Sequence, residues 1–97
     1  MKTINKVSYT PVYVETIPLN LKQGYVYISE KYKTSSHLCL CGCGEKVIMP
    51  LNYQLFPSHW QLIKENDGKV SFIASVGNYS FDCKSHYIMT KNVANFV

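Results

Sequence analysis

Trp60-Gln61-Leu62-Ile63-Lys64, then Glu65-Asn66-Asp67-Gly68-Lys69, then Val70-Ser71-Phe72-Ile73: two runs rich in β-branched and aromatic residues flank an Asp-Gly pair. A tight turn between strands needs positive φ, which Gly adopts freely and Asp tolerates, so the stretch reads as a β-hairpin. The same signature recurs on either side. Lys46-Val47-Ile48-Met49-Pro50-Leu51 looks like a buried strand ended by proline, and Gly24-Tyr25-Val26-Tyr27-Ile28-Ser29 like another. Val12-Tyr13-Val14, between Pro11 and Pro18, suits a sheet edge, where a missing N–H is harmless. Lys31 to Ser36 reads as a polar connector and Ser75-Val76-Gly77-Asn78 as a turn or loop. His86-Tyr87-Ile88-Met89 forms a last apolar run that turns at Lys91-Asn92 into Val93-Ala94-Asn95-Phe96. Apolar residues nowhere recur at helical spacing over several turns, so any helix is expected to be short, with Leu51 to Ser58 the best candidate. The expected fold is mostly β: one small domain over 1–97, built of short, mainly antiparallel strands and hairpins around a zinc knuckle.

Composition agrees with that fold and narrows the function. The 97 residues suffice for one compact core, 46% of them are apolar, and eight are tyrosines. A core this small gains from a cross-link such as a bound metal. The net charge of +4 comes from ten lysines spread along the chain, with no arginine to fork onto phosphate or guanine. That argues against a nucleic-acid partner. No apolar run approaches the roughly 20 residues that span a bilayer. The start, Met1-Lys2-Thr3-Ile4-Asn5-Lys6, lacks the apolar stretch of a signal peptide, so a cytoplasmic location with reduced thiols is expected.

Reduced thiols give the cysteines their meaning. All four fall in two segments, His37-Leu38-Cys39-Leu40-Cys41-Gly42-Cys43-Gly44 and Cys83-Lys84-Ser85-His86. Alternate residues of an extended strand lie roughly 6.6 Å apart. Zinc with bonds of about 2.3 Å needs its sulfurs roughly 4 Å apart. The first segment therefore has to turn, which Gly42 and Gly44 allow. Zinc on Cys39, Cys41, Cys43 and Cys83 is the expected arrangement, with His86 as the main substitute ligand and His37 as another. Four thiolates make a closed, structural site. If one of them is not a ligand, the metal keeps an open position, and Glu45 becomes a candidate base.

A serine nucleophile is the other chemistry on offer. Ser75 sits at a bend, with the Val76 and Gly77 amides placed to stabilise an oxyanion. Its base would be His86 or His37, oriented by Asp82 or Glu45. Ser85 adjoins His86, but neighbours in a strand point to opposite faces, which makes them poor partners. His59, beside Trp60, reads as a surface or packing residue.

These blocks, together with Pro50-Leu51, Trp60-x-Leu62, Ser75-x-Gly77-Asn78 and Cys83-x-Ser85-His86-Tyr87, resemble a family of small bacterial proteins encoded in ubiquitin-like conjugation (Bub) operons. The resemblance runs from about Val12 to Val97. It departs at Ile88, where relatives often carry Trp. It implies a zinc-binding cytoplasmic protein that works beside a ubiquitin-like protein and E1-like and E2-like enzymes, in antiviral defence. The family is read as a candidate peptidase that trims or removes the ubiquitin-like protein. Two functions follow as expectations: such a peptidase, or a non-catalytic zinc-binding adaptor that recruits the conjugation enzymes or their target.

Overall fold

A computed structural model describes residues 6–51, 60–73, 75–78 and 83–97. Ten strands follow in order: β1 (Lys6–Ser8), β2 (Thr10–Tyr13), β3 (Tyr25–Ser29), β4 (Thr34–Leu38), β5 (Lys46–Pro50), β6 (Gln61–Lys64), β7 (Val70–Ile73), β8 (Val76–Gly77), β9 (His86–Thr90) and β10 (Val93–Phe96). They form one sheet in the order β1-β10-β9-β8, a second in the order β2-β3-β4-β5, and the hairpin β6-β7. Every pairing is antiparallel except β2 with β3. Among the described residues there is no helix, and so none long and apolar enough to cross a membrane. Beyond Leu51, the helix candidate Leu51 to Ser58 lies outside the described residues, as do His59 and Asp82.

Local chemistry accounts for the turns. Gly68 takes φ 87° in the Asp-Gly hairpin. Lys91 and Asn92 take φ 50° and 65° between β9 and β10, the two successive positive values of a tight two-residue hairpin turn. Pro11 lies in edge strand β2. Thr10 N–H and Val14 N–H donate to the carbonyls of Gly24 and Ile28, so the alternating ladder leaves the Pro11 nitrogen facing away from β3.

Two expectations fail. The supposed connector Lys31 to Ser36 contains the start of β4, a central strand in which Ser35 is 0% and Ser36 4% exposed. Its seryl side chains project to opposite faces of the sheet and are small enough to be buried on both, and their polarity mimicked a loop. Ser75 to Asn78 contributes β8, which pairs Val76 with Tyr87 and Gly77 with His86. Strand β1 had no sequence signal of its own.

Tyr87 and Met89 of β9 are fully buried, whereas Ile88 between them is exposed, so β9 turns one face to the core and the other outward. The core joins Tyr87 and Met89 with Val26, Ile28, Val47, Val70, Phe72 and Ala94. Strand β7 packs beside β9. Asn92 N–H donates to the Val70 carbonyl there, and Val70 N–H to Asn92 Oδ1. The two four-stranded sheets are joined through Tyr87, whose hydroxyl lies 2.8 Å from His37 Nε2 and accepts the Leu40 N–H at 3.5 Å. Tyr87→Phe removes that hydroxyl and strands both groups in the interior. It is expected to cost about 1–3 kcal/mol in a urea denaturation series; an unchanged midpoint would show that the contact contributes nothing.

Candidate active site and metal centre

The cysteine-rich segment is the turn between β4 and β5. Cys39 N–H donates to the Glu45 carbonyl at 2.7 Å, and Gly42 N–H to the Cys39 carbonyl at 3.0 Å. Gly42 and Gly44 occupy the left-handed region, at φ 94° and 89°, which folds the chain tightly enough to gather three thiols. Cys83 arrives from the segment leading into β9. The four Sγ atoms lie within 4.8 Å of one another. Separations of 3.4 Å (Cys39 to Cys41), 3.5 Å (Cys43 to Cys83) and 3.8 Å (Cys39 to Cys83) approach the edge of a tetrahedron with bonds of about 2.3 Å. The donor set thus fits a metal ion, and Cys39, Cys41, Cys43 and Cys83 would hold it.

The surroundings favour a thiolate at Cys83 and oppose one at Cys41 and Cys43. The Ser85 hydroxyl lies 3.1 Å from Cys39 Sγ and 3.4 Å from Cys83 Sγ. Its hydrogen bond is the main reason that the Cys83 thiol is pulled down to about 6. Desolvation, with added pressure from Cys39, instead pushes Cys41 up to about 12. Four thiols this close do not all ionise on their own, and a cation among them resolves the competition. Asn78 Nδ2 donates to Cys39 Sγ at 3.4 Å, and Gln23 Nε2 to the Cys39 carbonyl at 3.0 Å.

A second constellation lies on the outward face of the β8-β9 edge. His86 Nε2 is 2.6 Å from Ser75 Oγ. The register explains how they meet. Gly77 stands opposite His86, so Ser75, two residues earlier, is the diagonal neighbour on the same face, within reach of a long side chain. Gly77 has no side chain to block the imidazole. The indole Nε1 of Trp60 donates to the Ser75 carbonyl at 3.2 Å, and Trp60 N–H is itself bonded to the Pro50 carbonyl. Trp60 thereby ties Ser75 to the end of β5. Asn78 N–H donates to the Ser85 carbonyl at 2.8 Å. By alternation, Val76 N–H then faces β9 and Gly77 N–H faces the outer edge, which has no strand partner among the described residues. A cavity of about 300 Å³ opens beside His86, lined also by Cys41, Cys83, Lys84, Ser85, Phe96 and Val97.

The other sequence candidates stand elsewhere. His37 is fully enclosed, its Nε2 bonded to the Tyr87 hydroxyl, and burial pushes it down to about 4, which keeps the ring neutral. Ser85 faces the thiols, opposite to His86, as alternation along a strand requires. Glu45 lies exposed on the turn. His86, the expected substitute ligand, is not part of the thiol cluster. Sequence reasoning passed over three positioning groups: Asn78, Tyr87 and Trp60. All three stood in the quoted motifs, but nothing in one sequence says what a buried amide, phenol or indole touches.

Residues 13–97 match the family described as bacterial ubiquitination-like system serine protease (BubE). No curated protein and no solved structure matches the chain. The family match covers nearly the whole chain and agrees with the resemblance carried by the cysteine and Ser-His-Tyr blocks. This chain therefore belongs to the BubE family, the serine proteases of bacterial ubiquitination-like systems.

Proposed function

We propose that the protein cleaves the acyl bond at the C-terminus of the ubiquitin-like protein of its own system, either maturing the precursor or releasing a conjugated target. The observation that carries this is the 2.6 Å contact between His86 Nε2 and Ser75 Oγ. It is the contact a hydroxyl needs in order to give up its proton while attacking a carbonyl. Ser75 O–H donates to Nε2, and Oγ adds to the substrate carbonyl carbon. His86 keeps the proton and returns it to the departing amine, leaving an acyl-enzyme. Water then attacks that ester with the same base, freeing the carboxylate and restoring Ser75. Gly77 N–H, turned to the side of β8 that has no strand partner among the described residues, is the donor best placed to meet the developing oxyanion. An extended C-terminal tail can lie along that edge as an added strand, which brings its backbone to Ser75.

Zinc is the ion we assign to the four thiolates, because a closed thiolate set suits it and leaves no position for a reacting water. Its contribution is structural. The E1-like and E2-like enzymes of the system are the protein's working companions, in the cytoplasm and in antiviral defence. The test is the intact mass of the ubiquitin-like protein, free and conjugated, after incubation with this protein. A discrete loss of C-terminal residues or release of the target supports the reading. Unchanged masses in both forms, with the partner retained in a pull-down, would replace it with the adaptor role.

A further inference from the structure

The thiol cluster and the Ser75–His86 pair are joined through one side chain. Asn78 is 5% exposed, and its Nδ2 donates to both Cys39 Sγ (3.4 Å) and Ser85 Oγ (3.2 Å). Its backbone N–H holds the Ser85 carbonyl at 2.8 Å. Ser75 lies three residues before Asn78, and His86 directly follows Ser85. Asn78 thus grips the metal centre with its side chain and, with its backbone, the two segments that carry the reacting groups.

Charge explains why an amide donor belongs there. Four thiolates around one dication leave a net negative centre, and Cys39 is its buried member. A buried anion is stabilised by N–H donors, and such outer partners tune metal affinity and fix the ligand's orientation. An ordinary core asparagine would satisfy backbone groups with both ends of its amide. This one spends its N–H donors on a sulfur and on the hydroxyl that itself faces that sulfur.

We propose that Asn78 is a positioning residue that couples the metal centre to the Ser75–His86 pair, by donating to the Cys39 thiolate and holding Ser85 in register. The catalytic half of this inference rests on the function proposed above; the metal half does not.

Asn78→Asp tests it, because it keeps the shape and the backbone bond while replacing the donor by a negative acceptor. Competition with a chromophoric chelator is expected to show zinc affinity about 10- to 100-fold weaker. The thiolate-to-cobalt charge-transfer band of the cobalt(II)-loaded protein is expected to shift. At saturating zinc, kcat is expected to fall at least about tenfold with KM little changed, because the substrate edge is untouched. Ser85→Ala provides a second variant should Asn78→Asp fail to fold; it is expected to weaken zinc in the same direction by a smaller factor. Wild-type zinc affinity and an unshifted band in a folded variant would overturn the proposal. Weaker zinc binding with undiminished kcat at saturation would overturn the coupling. Full activity of Ser75→Ala would instead remove the reacting pair itself while the affinity result stood.

Discussion

Ser75→Ala and His86→Ala are each expected to lower kcat/KM for cleavage of the ubiquitin-like protein by at least about 10³-fold, or about 4 kcal/mol of transition-state stabilisation. In the proposed mechanism the two side chains act as one unit, since Ser75 Oγ would reach its nucleophilic form only by passing a proton to Nε2 at 2.6 Å. The double variant should therefore be no worse than either single one, a non-additivity that independent contributions would not produce. Ser75, just before β8, and His86, at the start of β9, are both half-buried and not among the core residues. Thermal stability and metal content should consequently stay near wild type. Single-turnover kinetics on the purified substrate, with metal analysis of each variant, supply the measurement. Undiminished cleavage by both variants would exclude this pair as the reacting groups.

Removing the metal is expected to have the largest effect on stability. A ligand at a thousandfold excess over its Kd adds about 4 kcal/mol to the folded state. A small domain has only about 5–15 kcal/mol in total. For a chain of this size, losing that contribution lowers Tm by about 16 °C or more. The mechanism is specific to this fold: a metal held by the four thiols would cross-link the β4-β5 turn to the segment entering β9. Cys39→Ser should fall further than Cys43→Ser, because Cys39 is buried among core residues whereas Cys43 is exposed. Thermal melts with and without a strong chelator, alongside a metal count per chain, decide the matter. A chain that loses its metal yet melts at the same temperature would show that the cluster is no structural cross-link.

How much of this was legible beforehand depends on how local the cause is. The hairpin at Asp67-Gly68 and the turn at Lys91-Asn92 follow from the φ values that those residues accept, and the edge position of β2 follows from Pro11. Such causes lie within a few residues of their effects. Strand β4 was misread because Ser35 and Ser36 carry no apolar signature; their strand is set by its pairing with β3 and β5 on either side. Strand β8 is two residues long and exists only because β9 pairs with it.

The same division runs through the site. Sequence alone determined a β-rich domain and a set of four thiols able to share one ion, since turn chemistry, strand periodicity and thiol count are properties of residues and their spacing. It also supplied Ser75 as a nucleophile with two histidines to choose from. Only tertiary structure sets those two histidines apart, turning His37 inward to Tyr87 and laying His86 across Gly77 within 2.6 Å of Ser75. Only the register of β8 against β9 brought Asn78 to the thiols and the Ser75 hydroxyl to His86. Hydrogen bonds form over about 3 Å, and no spacing along a chain fixes a distance that short between strands that must first find each other.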